Sequence, residues 1–125
     1  MPPREVTGLE YRWDDAPFVR VDSLRAVTRA AGVRRLEVRV SAPELAECSD
    51  PALMVEWATQ LDGATIGGRS VEVRRTPYGV VPLARDDAGR SVVLSFDAKH
   101  AVREGSLLAG CERGSLHAEM RGPDG

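Results

Sequence analysis

Residues 49–75 read S-D-P-A-L-M-V-E-W-A-T-Q-L-D-G-A-T-I-G-G-R-S-V-E-V-R-R. Whether the first half of this stretch is helix or strand decides the fold. Asp50 suits an N-cap, Pro51 suits the first helical position, where its missing N–H leaves nothing unpaired, and Gly63 suits the residue just past the last turn. Leu53, Trp57 and Leu61 recur every four residues with Met54 and Ala58 beside them, the buried stripe of an amphipathic helix. The spacing predicts a helix over 51–62, joined by A-T-I-G-G to a strand S-V-E-V-R-R. A stripe of this kind packs on a core, so the unit reads as scaffold.

Working outward toward the amino terminus, R-R-L-E-V-R-V-S alternates, with Leu36, Val38 and Val40 inward and Glu37 and Arg39 outward, the period of a half-buried strand. V-D-S-L-R-A-V-T-R-A-A-G predicts a helix: Asp22 or Ser23 caps it, Leu24, Val27 and Ala31 share a face, and Gly32 takes the left-handed position after it. Before that helix, V-T-G-L-E-Y-R-W places Leu9, Tyr11 and Trp13 on one side of a strand, and D-D-A-P ends it.

Downstream, V-V-P-L-A and S-V-V-L-S-F are short strands separated by T-P-Y-G and D-D-A-G-R turn chemistry. Pro82 cannot donate to a ladder, so its strand is expected at a sheet edge or bulged there. A-K-H-A-V-R-E-G-S-L-L-A-G reads as a helix from about residue 98, interrupted at Gly105, and G-S-L-H-A-E-M as a strand or a frayed end. R-G-P-D-G reads as a disordered tail from about residue 121.

The expected order is β-α-β-α-β-β-β: an α+β fold with two helices packed on one face of a mostly antiparallel mixed sheet, in one domain spanning 1–125. A chain of 125 residues buries about two thirds of its unfolded surface, enough for a core without metal or disulfide. Hydrophobic residues are 42% and charged residues 29%, with a net charge of −2. The charges are interspersed, which argues against a phosphate-binding face and hence against nucleic acid. No apolar run is long enough to span a bilayer, and M-P-P-R-E-V-T-G lacks the order of a secretory signal. A cytoplasmic location is expected, with no membrane partner. Cys48 and Cys111 are therefore expected as free thiols.

Taken together, V-R-R-L-E-V-R-V, D-P-A-L-M-V-E-W-A and L-D-G-A-T-I-G-G-R-S-V-E-V-R-R-T-P, within residues 22–77, resemble the core domain of the HypA-type nickel metallochaperones of hydrogenase maturation. The resemblance implies a helix, a strand, a D-P-x-x-L helix and a further strand, and a role as a maturation accessory protein. The family's metal sites do not carry over. Its Met-His-Glu start is replaced by Met1-Pro2-Pro3, and its paired C-x-x-C motifs have no counterpart between Tyr78 and Arg90.

Other chemistry rests on scattered residues. Cys48, His100, Cys111 and His117 are zinc-type ligands, but none are paired at the spacing that one turn pre-organises; His100, Cys111 and His117 are the metal candidates, and no metal or cofactor is expected. Cys48 with His100, or Cys111 with His117, would be a nucleophile pair only with an oxyanion hole, for which there is no motif. F-D-A-K-H brings Asp97, Lys99 and His100 together at a strand end; Asp97 as a cap is the plainer account, and acid–base catalysis by Asp97 and His100 with Tyr78 the alternative. Trp13 and Trp57 fall on apolar faces and are read as core. Gly67-Gly68 leads into a strand and does not open a helix, so it is no phosphate loop. The acidic pairs in D-D-A-P and A-R-D-D-A-G-R lack calcium-loop spacing and read as solvated turns.

Two functions follow from these readings. One is a binding or accessory protein that contacts a protein partner, or a second copy of itself, through the edge formed by the Pro82 strand or the amino-terminal strand. The other is a small enzyme or ligand-binding protein of secondary metabolism with a pocket between helices and sheet.

Overall fold

The computed structural model describes residues 3–28, 30–56, 61–75, 79–98 and 106–112. Its strands are β1 (Arg4–Glu5), β2 (Leu9–Trp13), β3 (Val19–Val21), β4 (Arg35–Ser41), β5 (Pro51–Val55), β6 (Leu61–Ile66), β7 (Arg69–Val71), β8 (Arg74–Arg75), β9 (Gly79–Pro82), β10 (Ser91–Asp97) and β11 (Leu107–Cys111). They form a five-stranded sheet, β1-β11-β5-β9-β8, and a six-stranded sheet, β3-β2-β4-β10-β6-β7. Every pairing is antiparallel. Setting aside the β2–β3 hairpin and the two-residue β8, the sheets read β1-β11-β5-β9 and β4-β10-β6-β7. Counted as eight strands along the chain, that is 1-8-3-6 facing 2-7-4-5, the connectivity of a jelly roll.

The expected α+β arrangement is thus corrected to an all-β sandwich. All five residues of β5 are buried. Leu53 and Val55 join the core between the sheets, whereas Ala52 and Met54 pack with Val80 and Leu108 on the opposite face. A strand buried on both faces is a continuous apolar run, and such a run satisfies helical spacing as well as it satisfies a strand. Trp57 and Ala58, which completed the helical stripe, lie outside the described residues. The other expected helix is reduced to a 3-10 turn at Leu24–Ala26, where Ser23 makes no side-chain cap. Gly32 does take the left-handed conformation foreseen for it, at φ 74°. The helix expected from about residue 98 is corrected in its described part, where Leu107–Cys111 pairs along β5.

Strands with clean alternation form where expected. In β4, Leu36, Val38 and Val40 are buried; in β10, Val92, Leu94 and Phe96 are. These meet Leu53, Val55, Val81, Leu107 and Ala109 of the facing sheet in one cluster. Gly67 and Gly68, at φ 58° and 82°, make the two-residue turn from β6 to β7. Both central residues at positive φ define the type I′ hairpin, whose twist matches the strands it joins.

Neither strand nominated as an edge is one. β2 lies between β3 and β4, and β9 lies between β5 and β8. Pro82 is tolerated for a local reason. The Leu83 N–H bonds to the Pro51 carbonyl of β5, at 2.9 Å, so alternation turns the Pro82 nitrogen the other way, past the end of β8.

Cys48 and Cys111 are joined in a disulfide, with Cα atoms 5.1 Å apart, which corrects the expectation of free thiols. The pair is 63 residues apart in sequence, but β11 runs beside β5 with Cys111 opposite Pro51, and the β4–β5 loop that carries Cys48 ends there.

Candidate functional site

The loops at one end of the sandwich build a cleft of about 170 Å³. Pro43, Leu45 and Ala46 of the β4–β5 loop form one wall, Pro51 the base, and Leu83 and Ala88 of the β9–β10 loop the other wall; Glu44 and Arg85 stand exposed on the rim. The walls are cross-braced. Ala42 N–H donates to the Arg90 carbonyl and Gly89 N–H to the Ala42 carbonyl, both at 2.8 Å, and the disulfide ties the first loop to β11. Asp87, 4% exposed, accepts from the Ala84 N–H at 2.8 Å and faces the Arg69 guanidinium at 3.6 Å. A buried carboxylate satisfied in this way holds the β9–β10 loop in one conformation. D-D-A-G-R is therefore an ordered turn with its second aspartate turned inward.

The outer face of the six-stranded sheet is polar. Arg12 pairs with Glu37 at 2.7 Å and Arg39 with Glu10 at 3.1 Å, each across neighbouring strands, and the Phe18 ring lies under both guanidiniums at 4.6 and 3.9 Å. Opposite charges on adjacent strands support the register. Toward the far edge the face opens into a shallow trough of about 310 Å³ over Gly63.

Of the residues singled out in the sequence, Asp97 ends β10 directly across the ladder from Arg35, beside that trough. Tyr78, Lys99, His100 and His117 lie outside the described residues. Cys48 and Cys111 carry no thiol while oxidised, so neither Cys–His pair has its nucleophile and Cys111 offers no thiolate to a metal. Among the described residues no group of three metal-ligating side chains converges. Asp14, at φ 50°, accepts from the Arg34 and Arg35 N–H groups, both at 3.0 Å, which makes D-D-A-P a structural corner. Trp13 packs against the core cluster, and its indole N–H donates to the Thr28 carbonyl at 2.9 Å, as a core role requires.

The cleft was not legible in the sequence. Its walls are a proline, alanines and leucines from two loops about 40 residues apart, and the only local hint was the unusual density of Pro and Ala in S-A-P-E-L-A and V-P-L-A. No protein-family model, curated protein or solved structure matches the chain. Among the described residues no helix is long and apolar enough to cross a membrane.

Proposed function

We propose that the chain is a protein-binding module that seats one apolar side chain of its partner in the cleft between the β4–β5 and β9–β10 loops. The observation that carries this is the cleft's size and lining. Small-molecule and cofactor sites run from about 300 to 1,000 Å³, so at about 170 Å³ this one suits a single side chain. Apolar walls with Glu44 and Arg85 on the rim match the anchor-and-rim pattern of interface hot spots. The proposal keeps the accessory, protein-contacting role expected from the sequence but moves the contact from a sheet edge to a loop cleft. A pocket between helices and sheet, on which the enzyme reading depended, has no such helices among the described residues. Disulfides persist in oxidising compartments, so the Cys48–Cys111 bridge favours such a setting over the cytoplasm.

Selection from a phage-displayed peptide library tests the reading. Enriched peptides should share one apolar anchor beside charged residues. They should lose at least about tenfold in affinity for Ala46→Trp, which fills the cleft, and keep affinity for Arg39→Ala on the far sheet face. Failure to enrich any peptide, or binding indifferent to Ala46→Trp, would remove the proposal.

A further inference from the structure

Strand β3 ends the six-stranded sheet, and among the described residues no strand pairs with its far side. Its near side is held by β2, with Leu9 opposite Val21, Glu10 opposite Arg20 and Tyr11 opposite Val19. The Gly8 N–H donates to the Asp22 carbonyl at 2.9 Å, so Asp22 turns its backbone toward β2. Backbone groups alternate in direction along an antiparallel strand, so Arg20 also bonds to β2, while Val19 and Val21 aim their N–H and C=O groups off the edge. Ser23 continues the line, its backbone extended at φ −147° and ψ 163°.

Sheet edges are ordinarily blunted by shortness, by proline or by an inward-pointing charge. β1 and β8, which end the five-stranded sheet, are two residues each. On β7, at the opposite edge of the six-stranded sheet, Arg69 is held by Asp87 at 3.6 Å. β3 has neither device. Val21 packs against the core cluster, and Val19, which points to the same face, is 53% exposed, the one large hydrophobic so exposed among the described residues. Arg20 and Asp22 point to the other face. Both are exposed, and neither forms an ion pair among the described residues: Glu10, opposite Arg20, is taken by Arg39 at 3.1 Å.

We infer that β3 pairs with the β3 of a second copy of this chain, antiparallel about a twofold axis at Val21. The axis could pass through any of the three residues of the strand. Centred on Val19, it would set Pro17 in a hydrogen-bonded position opposite the partner copy's Val21, where proline has no N–H to give. Centred on Arg20, it would bring two guanidiniums face to face, which is unfavourable. Centred on Val21, it sets Arg20 against the partner copy's Asp22 on both sides of the axis. The two Val21 residues then exchange N–H···O bonds, and each Ser23 N–H reaches the partner copy's Val19 carbonyl. Val19 gains the partner copy's Val21 as a diagonal neighbour on the apolar face. V-R-V-D is complementary to itself in this register. The contact is isologous and consumes the β3 edge of both copies, so assembly stops at a dimer. The ladder is short and its ion pairs lie in solvent, so the dimer is weak, with Kd of about 100 µM and looser in salt. None of these residues lines the loop cleft, and the two proposals are tested independently.

Sedimentation equilibrium of the full chain, from about 10 µM to about 1 mM, tests the inference. The parent should dimerise. Arg20→Asp and Asp22→Arg, both at exposed positions, should each weaken self-association by at least about tenfold. Mixed together, the two variants should recover dimers with Kd within about threefold of the parent, because one chain then brings only carboxylates to both pairs and the other only guanidiniums. That recovery would also show that both variants are folded. Ala46→Trp, in the loop cleft, should leave self-association unchanged. Four outcomes each overturn the inference: a parent that stays monomeric at about 1 mM, dimers that survive both single charge reversals, single variants that lose dimers without recovery on mixing, or dimers abolished by Ala46→Trp.

Discussion

At the scale of single residues, the disulfide is the feature that most changes what the sequence implied. Cys48 is 2% exposed and Cys111 is half-buried, so the bridge is packed into the base of the β4–β5 loop. Closing a loop with 63 residues between its ends lowers the entropy of the unfolded chain by about 4 kcal/mol in the chain-entropy estimate. The double variant Cys48→Ala/Cys111→Ala should accordingly lose about 3–4 kcal/mol in urea unfolding. The same loss should follow reduction of the parent, and the non-reduced parent should take up no thiol-alkylating reagent by mass spectrometry. Free thiols in the native protein, or a loss under about 1 kcal/mol, would contradict this account. The bridge was illegible in the sequence for a physical reason: spacing rules detect pairs that one local turn brings together, and this pair meets only because β11 returns beside β5. Asp97 is the one catalytic candidate the structure describes, and it sits on the outer sheet face across from Arg35. Its place at a strand end was legible; its neighbours were not.

Secondary elements were legible where one face met water and the other the core. β2 and β4 follow the expected alternation because charged residues such as Glu37 and Arg39 face out; β10, expected only as a short strand, alternates as well, although Val93 is among its outward residues. β5 was misread because both its faces are apolar, and P-A-L-M-V offers no polar residue to reveal a period of two. The proline that seemed to demand an edge strand shows how far a local rule reaches. Pro82 does lack a ladder donor, yet β8 is only two residues long and pairs with Gly79 and Val80, so among the described residues no strand pairs with Pro82 on the side of β9 that faces away from β5. This geometry distinguishes two adjacent positions. Pro82→Ala should change stability by less than about 1 kcal/mol, chiefly by loosening the unfolded chain. Val81→Pro should cost about 1–3 kcal/mol for the lost ladder bond alone, because Val81 points toward β5 opposite Leu53 and is fully buried. Equal effects of the two substitutions in urea unfolding would show that β9 is not oriented as described.

For the whole molecule, the jelly-roll connectivity makes each sheet incomplete without the other. β4 and β5 are consecutive along the chain yet lie in different sheets, as do β10 and β11, and each sheet closes its ladders with strands that arrive from its opposite number. Leu53, Val55, Val81 and Leu107 from one sheet share a single core cluster with Leu36, Val38, Leu94 and Phe96 from the other. Among the described residues neither inner apolar face has another surface on which to pack. The two sheets should therefore open as one unit, and a chain of this size with one core should unfold in a single transition. Native-state amide exchange tests this directly: the slowest amides of β5 and β9 should share an opening free energy, within about 1 kcal/mol, with those of β4 and β10. Phe96→Ala, fully buried in the six-stranded sheet, should lower all of them together by about 3–5 kcal/mol. If the substitution lowered protection in β4 and β10 while β5 and β9 kept theirs, the sheets would be separate folding units and the shared core would not be what holds them.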